Sequence, residues 1–271
     1  MKNQLFTLIM IIVCLSCASN PFTGKKTMAF MPNSQLLPMS FAEYDKFLSE
    51  NKVINGTSEA EMITRVGQRI SVAAERWLDA NNHQGYLKDY KWEYNLVDDK
   101  LVNAWCMPGG KIVFYTGILP IAKNEAGIAA IMGHEVAHAL ANHGQQRMSA
   151  GMIQQGLGAG VAIATKDKSD SEQDVWMQAF AVGSSVGGML PFSRSHETEA
   201  DEIGLYLTAI AGYNPDEASL LWERMKANSD GKSSPEFLST HPSNDSRISN
   251  LKVLAAKAKE EARKFGVISF R

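Results

Sequence analysis

His134-Glu135-Val136-Ala137-His138 sits inside the run from Asn124 to His143, which is apolar on nearly every side before its histidines. A helix that is apolar all round is a buried one. On such a helix two imidazoles four residues apart share a face, and both can reach one Zn²⁺ at about 2.0 Å. Glu135 lies beside them and need not ligate. Its carboxylate can instead take the proton of a metal-activated water, whose pKa falls toward ~7. Ile128, Ile131, Met132 and Leu140 would bury this helix. Two buried histidines beside a carboxylate then need polar partners, and a set of satisfied core histidines is the bland alternative to a metal site.

A catalytic zinc takes three protein ligands and keeps one position open. In the metzincin pattern a glycine falls at position 141 and a histidine at 144, where this chain has Ala141 and Gly144, and His143 comes one residue early. The short thermolysin-like spacing fails as well, because no acid follows His138 until Asp167. The next acidic helix is Ser193-Arg194-Ser195-His196-Glu197-Thr198-Glu199-Ala200-Asp201. Glu197 and Asp201 are four apart and share a face, whereas Glu199 lies about 200° round from Glu197. Glu197 is therefore the expected third ligand. Asp201, one turn on, can accept a hydrogen bond from the outer nitrogen of a ligating histidine and fix its tautomer. A solvated acidic face would account for Glu199 and Glu202.

Outward from this centre, Glu59 to Leu78 carries Ile63, Val66, Ile70, Ala73 and Trp77 at helical spacing and predicts an amphipathic helix. Lys91 to Val97 and Lys111 to Tyr115 read as strands, with a turn at Pro108-Gly109-Gly110 between them. Gly151 to Phe192 predicts two glycine-rich helices joined by the charged segment Lys166 to Asp174. Neither half suits a membrane span, and Gly156-x-Gly-x-Gly160 follows no strand, so it makes a poor phosphate cradle. Close helix packing or a flexible lid is the expected use of these glycines. Further helices are expected over Ser193 to Gly212, after Asn214-Pro215-Asp216-Glu217, and from Ser243 with Ile248, Leu251 and Ala255 on one face.

Lys2 leads into an apolar run from Leu5 to Leu15, followed by Ser16-Cys17, which reads as a secretory signal. It resembles a bacterial lipoprotein signal with Cys17 as the lipidated first residue, although position 14 is Cys where that signal usually has Leu; a non-cleaved anchor is the alternative. The expected organisation is a signal at 1–16, a lipidated start and extended tether at 17–40, and one domain at 41–271. After processing, Cys106 would be the only thiol besides the acylated Cys17, leaving no intramolecular disulfide. The 27 basic and 29 acidic residues nearly cancel, which argues against nucleic acid as a partner.

Several separated motifs occur in order along the chain: Asn103-Ala104 with Pro108-Gly109-Gly110, His134 to His138, Ser193-Arg194 with Glu197 to Asp201, Ala211-Gly212-Tyr213, and Thr240-His241-Pro242 with Arg247. Together they resemble the membrane-associated gluzincin peptidases that include the CAAX prenyl endopeptidases and their stress-protease and mitochondrial relatives. The lipoprotein-like start and Gly24-Lys25-Lys26 look like the periplasmic branch. The resemblance implies an α+β, mainly helical zincin-like domain with a small sheet, one Zn²⁺ per subunit, and cleavage of misfolded or misassembled envelope proteins. It implies membrane attachment through the N-terminal lipid. It further implies that Lys111 to Tyr115 is the sheet edge to which an extended protein or peptide substrate adds as a strand.

The resemblance also brings His241 over the zinc. Two roles suit it: donor to the oxyanion of the tetrahedral intermediate, or a fourth ligand that keeps the enzyme latent. Two other functions compete with an endopeptidase. One is a metal-bound but proteolytically silent chaperone or scaffold at the membrane, against which the intact Glu135 argues. The other is a metal-dependent hydrolase of small molecules, which would need a closed pocket and no strand edge.

Overall fold

The computed structural model describes residues 17–229, 236–242 and 244–271. The expected signal at 1–16 lies outside the described residues. In chain order the elements are β1 (Cys17–Ser19), β2 (Lys26–Met28), α1 (Asn33–Glu50), β3 (Val53–Ile54), α2 (Ser58–Ala80), β4 (Glu93–Val97), β5 (Ala104–Met107) and β6 (Lys111–Tyr115). They continue with α3 (Leu119–Ala122), α4 (Glu125–Leu140), α5 (His143–Thr165), α6 (Asp170–Ser184), a π turn at Ser185–Met189, α7 (Leu190–Ile210), α8 (Glu217–Ser229), α9 (Glu236–Thr240) and α10 (Asp245–Lys264). The fold is thus mostly helical with a small mixed sheet, in keeping with the α+β zincin-like class. Two compact units are present, one from residues 33–141 with 198–271, the other from residues 17–32 with 142–197.

In the larger unit the four-stranded sheet runs β3-β4-β6-β5. β4 and β6 are parallel, and β3 and β5 pair antiparallel on the outside. The expectation that Lys111–Tyr115 forms the edge is therefore overturned: β6 is internal, and β5 and β3 are the edges. Two pairings make β6 internal, the parallel partner β4 on one side and a hairpin with β5 on the other. Gly109 and Gly110 both take positive φ (87° and 85°), a turn that only glycine makes without strain, and it folds Ala104–Met107 back onto β6. α2 buries the face expected of it, Ile63, Val66, Ile70, Ala73 and Trp77 included. Gly67 on that face leaves room for the ring of Tyr94 on β4.

The expected extended tether at 17–40 is also corrected. Residues 17–28 form an antiparallel hairpin, its turn tied by Asn20, whose side chain accepts from Phe22 N–H at 2.9 Å and whose carbonyl accepts from Gly24 N–H at 2.8 Å. α1 begins at Asn33 and runs through Pro38, because its apolar face is held by the sheet: Tyr44 is fully buried and donates to Ile112 O at 3.0 Å, and Ser40 donates to Pro108 O at 2.7 Å. Packing outweighs the cost of a proline in the helix. The glycines of the second unit are mostly not packing glycines: a β-carbon at Gly151, Gly156, Gly160, Gly183, Gly187 or Gly188 would meet nothing, and only Gly158 seats a ring, that of Phe180.

Candidate metal centre

α4 starts where Asn124 takes extended φ/ψ and its side chain accepts from Gly127 N–H at 2.8 Å, satisfying one of the orphan donors of the first turn. Every residue from Gly127 to Leu140 is buried. At the other end Tyr86 donates to Leu140 O at 2.8 Å, which covers a carbonyl the helix itself cannot pair. Asn142 then adopts left-handed φ (57°) and stops the helix, so His143 opens α5 and stacks on His196 at 4.1 Å. The helix break is why His143 takes no part in the centre.

α4 and α7 cross at backbone contact. A β-carbon on Gly133 would lie 2.6 Å from Gly204 O, and one on Gly204 would lie 2.8 Å from Gly133 C and His134 N. Thr208 Oγ1 bridges the crossing by donating to Ala129 O at 3.1 Å. Gly204 lies three residues beyond Asp201 and seven beyond Glu197 on the same helical face. The glycine pair therefore lets these carboxylates reach the histidines of α4, and sequence reading passed over both glycines.

His134, His138, Glu197 and His241 are all buried, and one ligand atom from each lies within 4.8 Å of all the others. His134 Nε2 is 3.1 Å from both His138 Nε2 and His241 Nδ1. Nitrogens of a tetrahedral zinc site with bonds of 2.0–2.1 Å stand about 3.3 Å apart, so these three are at ligand separation. Asp201 Oδ1 is 3.0 Å from His134 Nδ1, which assigns the ring proton to Nδ1 and turns the Nε2 lone pair into the cluster. A donor set of three imidazoles and one carboxylate suits Zn²⁺. The residues fit the group.

Asp201 is held in turn. Arg247 donates to both its oxygens, each at 2.8 Å, and the guanidinium lies 3.9 Å over the ring of Trp222, which packs edge-on to His134. Burial alone would raise the Asp201 carboxyl, but the charge of Arg247 and the contact with His134 outweigh it and hold it below the usual carboxylate range. Arg247 also donates to Pro242 O at 2.9 Å and so grips the segment that carries His241. His241 lies in the short segment between α9 and α10, with its own N–H donating to Phe237 O at 2.8 Å. Phe237 N–H donates to Val102 O at 3.0 Å, just ahead of β5.

Glu135 is buried, and its Oε1 lies 3.4 Å from His241 Nε2. One imidazole thus spans from the ligand cluster to this carboxylate. β5 packs beside α4, and the charge of Glu135 adds to the burial that pushes the Cys106 thiol well up. Cys106 is in no disulfide. Glu199 is also buried, which corrects its reading as part of a solvated face; it is outside the cluster of ligand atoms.

A family model described as Peptidase family M48 matches residues 65–255. "Mitochondrial metalloendopeptidase OMA1" of Schizosaccharomyces pombe is 39% identical over 60% of this chain and 46% of its own length. "Metalloendopeptidase OMA1, mitochondrial" of Homo sapiens is 27% identical over 88% of this chain and 46% of its own. "Beta-barrel assembly-enhancing protease" of Escherichia coli is 26% identical over 59% of this chain and 33% of its own. The chain spans about half, or less, of the length of these relatives.

Proposed function

Since the chain belongs to peptidase family M48, we propose that it is a zinc-dependent endopeptidase in which His134, His138 and Glu197 hold the metal and Glu135 is the general base. The convergence of the four buried ligand groups beside the Glu135 carboxylate carries this reading. Bound there, zinc supplies a Lewis acid that lowers the pKa of a water toward ~7 and polarises the scissile carbonyl. Glu135 accepts the proton of the attacking water and returns it to the leaving amine. Asp201, clamped by Arg247, keeps the His134 ring in the orientation that ligates.

An extended substrate adds to the edge strand β5, main chain to main chain, which brings it beside α4; the proximity of Cys106 to Glu135 supports this path. His241 acts as a latch in the resting enzyme. The reading is supported by its Nδ1 at 3.1 Å from His134 Nε2 and its Nε2 at 3.4 Å from Glu135 Oε1, so that one ring would join His134, His138 and Glu197 in holding the metal and would also shield the base. Substrate entry at β5 displaces the ring, and the same imidazole then serves as oxyanion donor. The substrates are misfolded or misassembled proteins of a bacterial envelope, with the chain lipid-anchored through Cys17 at the outer membrane and facing the periplasm; the leader-like run Leu5 to Leu15 before Ser16-Cys17 supports the placement.

The test is incubation of the purified protein, as wild type and as Glu135→Gln, with a mixture of unfolded proteins, reading the new termini by mass spectrometry. New termini from the wild type alone, with equal zinc in both, are expected. Equal cleavage by both moves the base elsewhere, and no cleavage by either, with zinc bound, favours a silent scaffold.

A further inference from the structure

The hairpin of α5 and α6 presents an apolar surface that the proposed chemistry does not use. From Met148 to Thr165, and again from Val175 to Ser193, the chain has no charged residue; the charges fall at the tip, Lys166 to Asp174, where four acids outnumber two lysines. The two helices meet along one narrow seam, with Gly158 under the ring of Phe180 and Gln154 Nε2 donating to Ser184 Oγ at 2.8 Å. Away from the seam the side chains face outward. Leu157, Ile163, Val175, Trp176, Val182 and Val186 are each more than half exposed, Ile163 at 69%. A run of apolar side chains of this extent on a surface marks something that binds there.

The position of the hairpin along the chain identifies the occupant. α5 holds the segment leading back to Cys17: Phe30 N–H donates to Ser149 Oγ at 3.1 Å, Gln145 donates to Met31 O, and β2 packs on α5 and pairs with β1. β1 begins at Cys17, and the residues that precede it, Leu5 to Leu15, are apolar but for Thr7. The uncharged hairpin therefore shares one compact unit with the point where a lipid-directed run joins the fold. We propose that the outer faces of α5 and α6 lie in the headgroup and acyl boundary of a lipid bilayer, beside the point of attachment. The proposal extends the membrane placement above and rests on it for the presence of the bilayer.

The hairpin lies in the membrane plane and does not cross it. No helix among the described residues is long and apolar enough to span a bilayer, and the six charges of the tip would be costly in the hydrocarbon. In-plane helices bury one apolar side to a depth of about 5–10 Å, a level at which tryptophan is favoured, as Trp176 would be here. Because the tip is net acidic, attachment comes from apolar area and not from lipid charge. Neutral lipid suffices, and salt does not weaken it.

The full-length protein, wild type and Trp176→Phe, is reconstituted into phosphatidylcholine vesicles with and without brominated acyl chains. The difference between the two isolates the emission of Trp176. It is expected to shift to the blue on addition of vesicles and to fall about twofold or more with bromine, equally at low and high salt. Ile163→Asp with Val182→Asp should abolish the quenching; Ile163→Ser with Val182→Ser serves if the aspartates disturb the helices, as circular dichroism would reveal. The same measurements in Glu135→Gln separate this inference from the protease reading, since quenching there needs no catalysis. Flotation with vesicles but no quenching of Trp176 keeps the anchor and overturns the hairpin's role, and loss of both overturns both. Emission already blue without lipid, and independent of protein concentration, would assign the face to residues 5–15 of this chain; dependence on concentration would assign it to a second copy. Slower cleavage of a soluble unfolded protein by the double-aspartate variant, without lipid quenching in the wild type, would make it a substrate surface. Each of these three overturns the proposal.

Discussion

Replacing Gly204 with alanine tests whether the backbone contact between α4 and α7 sets the metal geometry. The added carbon would stand 2.8 Å from Gly133 C and His134 N, and ordinary contact begins near 3.4 Å, so the helices must part by about 0.6 Å. Both obstructing atoms are backbone, and no side chain can rotate out of the way. Overpacking of this kind costs about 1–3 kcal/mol, while glycine to alanine inside a helix returns about 1 kcal/mol, so the metal-free protein should lose ~0–2 kcal/mol. The displacement falls between His134 and Asp201, now 3.0 Å apart, and is about three times the ~0.2 Å tolerance on ligand distances. Zinc affinity should therefore drop by roughly 10- to 100-fold, the usual consequence of disturbing the groups that orient a ligand. Urea unfolding of the metal-free protein gives the first quantity, and competition with a chromogenic chelator gives the second. Gly160→Ala is the control, since its β-carbon meets nothing within 4 Å. Wild-type zinc affinity in Gly204→Ala would refute the reasoning: the helix crossing would then be incidental to the centre.

Glu197→Ala should lose zinc, whereas Glu199→Ala should retain it although both side chains are buried; elemental analysis of the two proteins decides which carboxylate ligates. Arg247→Ala leaves Asp201 buried without its guanidinium and should cost about 3–5 kcal/mol in denaturant unfolding, with Arg247→Lys restoring only part because a lysine cannot make the two-pronged contact. His241→Ala should raise basal proteolysis if the ring is a latch and lower turnover if it is only an oxyanion donor; unchanged rates and an unchanged zinc coordination spectrum would remove both roles. Cys106, its thiol pushed up by burial and by Glu135, holds less thiolate at pH 8 when folded than when unfolded, so alkylation should be slower in buffer than in urea. Equal rates would place the thiol in an ordinary environment.

The ligands on α4 were legible because helical geometry alone puts residues four apart on one face, and an all-apolar helix must be buried whatever its neighbours are. The same local logic paired Glu197 with Asp201 and set aside His143, and it marked the buried face of α2 residue by residue. Motif resemblance, not spacing, brought His241 to the site, since its distance from α4 in sequence carries no geometric information. Only the tertiary structure decided which strand is an edge. Lys111–Tyr115 is internal because β4 pairs with it in parallel on one side while the turn at Gly109-Gly110 folds Ala104–Met107 onto the other, and the first of these pairings joins segments that no local pattern connects. The tether reading of 17–40 failed for a related reason: Pro21, Gly24, Pro32 and Pro38 signal breaks locally, while the apolar side of α1 finds a sheet to pack on. Gly133 and Gly204 looked like ordinary helical glycines, because what makes them necessary is a second backbone arriving from seventy residues away. The sequence by itself determined which side chains can hold a metal; the crossing of two helices determined that they meet, since a meeting between distant segments is a property of packing and no single segment carries it.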